Sequence, residues 1–111
     1  PEHRARMADI VHRLFAAGGS VLDSSPMYGR AEARTGEALA ATGKARDAFL
    51  MTKVWTSGRE AGIRQMRESL KHFGVDRIAL MQIHNLVDWR THLPTLREWQ
   101  AAGTFRYVGI T

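Results

Sequence analysis

The apolar positions fall into eight groups with two different rhythms. Met7, Ile10, Val11, Leu14 and Phe15 recur three and four residues apart, the stripe of an amphipathic helix. Gly18-Gly19 ends that helix. Ser20 to Asp23 is a short strand, and Ser24 to Gly29, broken by Pro26 and Gly29, is a loop. Ala31 to Ala41, rich in Ala, Glu and Leu, predicts a second helix that stops near Gly43. Ala48 to Trp55 is mostly apolar without clean alternation, which predicts a strand buried on both faces. Thr56-Ser57-Gly58 is a turn able to cap the next helix. Ile63, Met66, Leu70 and Phe73 mark this third helix, stopped by Gly74. Arg77 to His84 is a second strand of the doubly buried kind. Leu93, Leu96 and Trp99 mark a fourth helix, stopped by Gly103, and Phe105 to Ile110 is the last strand.

The order is therefore α-β-α-β-α-β-α-β, which predicts βαβ units and a parallel sheet. Strands end near Asp23, Lys53, His84 and Thr111, at intervals of 30, 31 and 27 residues. One βα unit needs about 30. A closed eight-fold barrel needs about 250 residues, so four units make half of one. An open doubly wound sheet fits the same beat. It is disfavoured because the first strand-to-helix turn lacks a glycine-rich phosphate fingerprint. The expected fold is thus α/β, of the (β/α)8 TIM-barrel type, with residues 1–111 forming one partial barrel domain truncated at both ends.

Composition narrows the function classes. The 111 residues are 44% apolar, enough for a core. No apolar run approaches the ~18 residues of a membrane span. The absence of cysteine excludes disulfides, thiolate metal sites and cysteine nucleophiles, and leaves the redox compartment open. The formal charge of +5 raises an anionic partner such as nucleic acid or a phosphorylated cofactor. The Lys and Arg residues are scattered among Glu and Asp on predicted helices, so a solvated surface is the better reading; neither nucleic acid nor membrane is an expected partner. Pro1-Glu2-His3-Arg4 opens directly into helical patterning without an initiator Met, which reads as a cut N-terminus that takes any targeting segment with it. The cytoplasm is the expected compartment.

In a parallel barrel the active site lies at the carboxyl ends of the strands. Asp23, Lys53 and His84 close three successive apolar runs, and Tyr28 sits on the loop after the first. Singly each has an ordinary explanation: a strand-end lysine reaching solvent, a rim histidine, a loop aromatic. Buried Lys and Asp are rare unless paired, so Asp23 and Lys53 read as partners. The regular spacing argues against four accidents. As a set they make chemical sense. A phenol at its ordinary pKa near 10 is a poor acid at neutral pH. An ammonium beside it favours the phenolate, a carboxylate holds the ammonium, and an imidazole opposite can orient a carbonyl oxygen. Such a site polarises a carbonyl beside a proton donor and lacks only a nucleophile, which a hydride would supply.

These motifs resemble the aldo-keto reductase family. Val21-Leu22-Asp23-Ser24-Ser25-Pro26-Met27-Tyr28-Gly29 is similar to its motif with Asp and Tyr five apart. Ala31-Glu32 and Gly36-Glu37-Ala38-Leu39 resemble the helix beyond that motif. Phe49 to Trp55 resembles the lysine strand, Ser69-Leu70-Lys71 through His84 the approach to the histidine, and Gly103 to Thr111 the next strand. The resemblance implies a (β/α)8 barrel that uses NADPH, less often NADH, without metal, to reduce a small-molecule carbonyl. It implies Tyr28 as proton donor, Lys53 as its tuner, Asp23 as partner of Lys53 at the cofactor, and His84 as the group that orients the carbonyl. Thr111 matches a position that bonds the nicotinamide carboxamide; Met27 and Trp55 match pocket-lining positions, for which ordinary packing weighs equally. Asn85 follows His84 where many members carry a bulky aromatic, which implies a smaller, more polar pocket wall. The family's first strand and everything after Thr111, including the basic loop that holds the adenosine phosphate, have no counterpart in this chain.

Two other readings share the fold. One is a non-catalytic, cofactor-binding regulatory protein, against which the complete Asp23, Tyr28, Lys53 and His84 set argues. The other is Schiff-base chemistry at Lys53, disfavoured because Asp23 keeps the lysine protonated. The isolated chain is expected to be inactive and to self-associate through exposed edge strands, or to fold only in part.

Overall fold

Four apolar runs become four parallel strands in a single sheet, ordered β1-β2-β3-β4 as they occur along the chain. The computed structural model describes residues 2–111. Its elements are α1 (Glu2–Ala16), β1 (Val21–Asp23), α2 (Ala31–Thr42), β2 (Phe49–Val54), α3 (Arg59–Phe73), β3 (Ile78–Ile83), a 3-10 turn (His84–Leu86), α4 (Trp89–Ala101) and β4 (Phe105–Ile110). Each strand pairs with the next through a helical crossover, the arrangement that parallel pairing requires. The register aligns Asp23 with Met51, Lys53 with Gln82, and Gln82 with Gly109.

The two faces of the sheet differ. Leu50, Thr52, Val54, Met81 and Ile83 point one way and are fully buried beneath the helices. They meet Leu39, Met66, Phe73 and Leu96 from α2, α3 and α4, and this contact is the core. Fully burying one such side chain is worth roughly 1.5–3 kcal/mol. The opposite face carries Val21, Asp23, Met51, Lys53, Leu80 and Tyr107, and Val21 and Tyr107 on it stay about half exposed. Phe49 and Tyr107 stack on that side with ring centroids 6.1 Å apart. The expectation of burial on both faces therefore holds fully only on the helix side. In a closed barrel the face away from the helices points inward.

Three further expectations are corrected. Ile10, assigned to the apolar stripe of α1, is 62% exposed, because α1 packs on α2 through Val11 and neighbours and presents Ile10 away from it. No hydroxyl of Thr56 or Ser57 caps α3; Gly58 precedes that helix and donates its N–H to Asp88. His84 is not a strand residue. β3 stops at Ile83, and the backbone turns left-handed at Asn85 and Leu86 with φ near 51° and 56°.

Helix α2 lies close on the end of α3. A Cβ placed on Gly36 would sit 2.3 Å from the His72 carbonyl oxygen and 2.7 Å from that of Phe73. Glu32, one turn earlier on α2, is only 3% exposed. Its carboxylate accepts a hydrogen bond from Thr52 Oγ1 at 2.7 Å and faces His72 Nδ1 at 3.7 Å. Helix α2 is thereby tied to β2 at the residue before Lys53. On the helix surfaces, Arg13–Asp9 and Arg34–Glu37 pair at 2.8 Å, contacts worth little individually. No helix among the described residues is long and apolar enough to cross a membrane.

Candidate active site

The carboxyl ends of the strands gather most of the sequence-derived candidates. Lys53 is 6% exposed, yet its ammonium has three oxygen acceptors. It donates to Asp23 Oδ1 at 3.1 Å, to Asp23 Oδ2 at 3.2 Å and to the Ser24 carbonyl at 2.7 Å. A buried ammonium needs such partners. β1 supplies them because Asp23 is its last residue and the chain then turns across the end of β2. The Asp23 side chain remains 46% exposed, so one edge of the carboxylate faces outward.

Tyr28 reaches the same place from the β1–α2 loop. Its ring lies 5.3 Å from Lys53 Nζ, centroid to nitrogen. The ammonium stands near the ring, and no hydrogen bond among the described residues joins the Tyr28 hydroxyl to Lys53 or His84. The physical reason is competition: Asp23 and Ser24 already take the protons of Lys53. The Tyr28 side chain is half exposed, which leaves it room to rotate. Met27 is likewise exposed, and its backbone N–H reaches Ser25 Oγ at 3.4 Å.

His84 and Trp55 form a second group, with ring centroids 6.2 Å apart. His84 Nδ1 is buried and finds no hydrogen-bond partner among the described residues. Asn85 and Thr111 form a third. The Asn85 N–H donates to Thr111 Oγ1 at 3.0 Å, and the Thr111 N–H donates to the Ile83 carbonyl at 3.1 Å. The end of β4 is thus locked to the turn that carries His84. Asp23, Tyr28 and Lys53 make one contact group; Trp55, His84, Asn85 and Thr111 make its neighbours along the same end of the sheet.

Sequence reasoning missed several residues that hold this end together. Asp88, left-handed at φ 50°, accepts from Gly58 N–H and Thr91 Oγ1, both at 2.8 Å. Those hydrogen bonds, Gly58 first and Thr91 second, hold its carboxyl below the usual aspartate range. The folded value is depressed, so the contribution to stability is complete above the ordinary aspartate pKa near 4 and is lost as pH falls through the folded value. In wild type, protection of the Gly58 amide, taken relative to its intrinsic exchange rate at each pH, is expected to hold from neutral pH down to the ordinary aspartate range and to be lost only below it. Loss of protection between about pH 7 and 5 would contradict the assignment. The Asp88-x-x-Thr91 spacing just before a helix was the available sequence signal. For Glu32 the signal was a lone acid at a helix start, which ordinarily means a favourable dipole interaction and not a buried bond.

A parallel sheet with crossover helices on one face and polar groups at the strand ends defines a barrel-type α/β protein, a class whose active sites lie at the carboxyl rim. The sequence pattern of the Aldo/keto reductase family matches residues 2–111. The chain belongs to the aldo/keto reductase family. It is 32% identical over 122 aligned residues to aldo-keto reductase str7 of Strobilurus tenacellus, an alignment covering 99% of this chain and 34% of that protein. Among solved structures it superposes on an aldo/keto reductase from Brucella melitensis with TM-score 0.81 at 27% identity, covering 94% of this chain and 43% of that one. An aldo-keto reductase from Klebsiella pneumoniae in complex with NADPH shares the fold with TM-score 0.85 at 22% identity, over 99% of this chain and 40% of that one. The chain therefore spans between a third and a half of the length of these relatives. Its fold is that of the (β/α)8 barrel, four parallel strands of it.

Proposed function

We propose that the complete protein carrying this chain reduces an aldehyde or ketone to an alcohol with a nicotinamide cofactor, NADPH in preference to NADH, and without a metal. The observation that carries this reading is the Lys53 ammonium, buried between the Asp23 carboxylate and the Tyr28 ring at the strand ends. In it, Tyr28 gives its hydroxyl proton to the carbonyl oxygen and Lys53 stabilises the phenolate left behind. Asp23 and the Ser24 carbonyl hold the Lys53 ammonium in place beside the Tyr28 ring. His84 donates a hydrogen bond to the same carbonyl oxygen and fixes its direction. Met27, Trp55 and Asn85 line the pocket for the rest of the substrate.

The residues present fit the nicotinamide end of the cofactor. Thr111 Oγ1 accepts from Asn85 N–H, so its own hydroxyl proton is free for an acceptor such as a carboxamide oxygen. Asp23 offers an outward carboxylate edge for a ribose hydroxyl. The buried Gln82 Nε2 beneath the same rim has no hydrogen-bond partner among the described residues, which suits an end of the sheet that receives polar groups. When bound, the cofactor supplies a hydride to the carbonyl carbon; the proton from Tyr28 completes the alcohol, and water restores the phenol. The three acceptors around Lys53 argue against an amine free to form a Schiff base.

The test is NADPH oxidation by the complete protein across a panel of aldehydes. Turnover supports the reading; cofactor binding with no turnover on any aldehyde would make the protein a non-catalytic regulatory member. The isolated 111-residue chain is expected to show no turnover and to self-associate through the edges of β1 and β4, where Val21 and Ile110 are exposed. A monodisperse monomer by light scattering that reduces carbonyls would contradict this.

A further inference from the structure

Trp55 is held more firmly than a strand-end residue requires. Its backbone N–H donates to Gln65 Oε1 at 2.5 Å, and its carbonyl accepts from Gln65 Nε2 at 3.1 Å. One side-chain amide from α3 thus satisfies both polar groups of one peptide residue. The next residue is also fixed. The Thr56 carbonyl lies 2.6 Å from His92 Nε2, on a ring that is 1% exposed. Since a carbonyl only accepts, His92 carries its proton on Nε2. The ring fits there because Gly62 has no side chain; a Cβ on Gly62 would come within 2.7 Å of it. Two residues further on, Gly58 donates to Asp88, whose other oxygen is held by Thr91. Gly58 has φ near 90°, a conformation glycine adopts freely and which sets its N–H toward Asp88.

The β2–α3 segment Trp55–Gly58 is therefore gripped at successive points. Two of the grips, His92 and Asp88, come from the stretch just after His84. The backbone between His84 and that stretch is itself constrained: Asn85, Leu86 and Asp88 are all left-handed, at φ between 50° and 56°. Non-glycine residues adopt that region at a cost of order 1 kcal/mol or more each, and such strain concentrates at functional sites. The backbone that carries the Trp55 ring is held by these bonds, and that ring lies 6.2 Å from the His84 ring, centroid to centroid.

We propose that Gln65, Asp88 and His92 act as a clamp that fixes Trp55 against His84 and so sets which carbonyl substituents the site accepts, selecting flat apolar ones that pack on the indole. The clamp residues are positioning residues and touch neither substrate nor cofactor. This rests on the reading of His84 and Trp55 as pocket residues. It goes further in making the width of the pocket a property of contacts on α3 and α4.

The experiment uses the complete protein with the Gln65→Ala, Asp88→Ala and Asp88→Asn substitutions. The substrates are an aromatic aldehyde and a short aliphatic one. With Gln65→Ala or Asp88→Ala, KM for the aromatic aldehyde is expected to rise about tenfold, equivalent to about 1.4 kcal/mol. KM for the aliphatic aldehyde, KM for NADPH and kcat should stay within twofold. Asp88→Asn keeps an acceptor oxygen for Gly58 and should recover at least half of the loss. Equal losses for both aldehydes, or no change in either, would overturn the clamp. Hydrogen exchange on the same variants reads the grips directly: the Trp55 amide should exchange at least tenfold faster in Gln65→Ala, and the Gly58 amide likewise in Asp88→Ala. Unchanged exchange overturns the proposal whatever the kinetics. If wild type turns over neither aldehyde, the reductase reading fails by itself, and the ratio of dissociation constants for the two aldehydes, read by tryptophan fluorescence, decides the clamp in the same way. Should Asp88→Ala fail to fold, Thr91→Val frees one oxygen of Asp88, and a shift of the aromatic-to-aliphatic ratio smaller than twofold overturns the proposal.

Discussion

Replacing Tyr28 by Phe in the complete protein is expected to lower kcat by about a hundred- to ten-thousand-fold, the range by which a positioned general acid accelerates a reaction. The substitution removes one oxygen and keeps the ring near Lys53 at 5.3 Å. Packing and the Asp23–Lys53 pair, with its 3.1 Å contact, should therefore survive. NADPH affinity, measured by fluorescence titration, should change by less than twofold, because the hydroxyl enters only when the carbonyl oxygen gains charge. A loss confined to kcat identifies the phenol as the proton source. The Tyr28 hydroxyl makes no bond to Lys53 or His84 in this structure, so the assignment needs a rotation of a half-exposed side chain toward the substrate oxygen. Catalytic hydrogen bonds commonly tighten only when substrate is bound. Turnover that persists in Tyr28→Phe would move the proton to another donor and remove Tyr28 from the mechanism.

Replacing Gly36 by Ala is expected to destabilise the fold by about 3 kcal/mol, near the top of the usual range for overpacking. The added methyl would meet the carbonyl oxygens of His72 at 2.3 Å and Phe73 at 2.7 Å. These are backbone atoms at the end of α3, and they cannot rotate aside as a side chain can. Helix α2 would have to lift from α3. That movement would strain the bond from Thr52 to the buried Glu32, which is 2.7 Å long. In the complete protein, a thermal melt followed by circular dichroism should show a Tm lower by roughly 6–12 °C, given about 2–4 °C per kcal/mol for a domain of barrel size. A shift under 2 °C would mean that the close approach of the two helices is not a constraint. The opposite case is Gly58, where a Cβ meets nothing within 4 Å and only the left-handed backbone disfavours substitution.

The alternation of helix and strand was legible because each element's period is local. Met66, Leu70 and Phe73 repeat at helical spacing whatever lies beside them, and the run Ile78 to Ile83 is apolar before any partner is known. The roles of Gly43, Gly74 and Gly103 as stops were legible for the same reason. Family membership was legible too, since Asp23, Tyr28, Lys53 and His84 keep their order and spacing.

Local pattern carries no record of which polar groups find each other across a fold. Glu32 and Thr52 are 20 residues apart, Gly58 and Asp88 are 30 apart, and Thr56 and His92 are 36 apart. Each is an ordinary surface residue type whose meaning changes once a partner is within hydrogen-bonding distance, as at the buried Thr52–Glu32 bond. The sequence alone determined the kinds of element, their order and the family to which the chain belongs. Only the tertiary structure decided that α2 sits on α3 through a bare Gly36, that His84 leaves β3 on a left-handed turn, and that the backbone from Trp55 to Gly58 is bonded by Gln65, His92 and Asp88. The physical reason is that periodicity is written in neighbours along the chain, whereas desolvated polar pairing and close packing depend on neighbours in space.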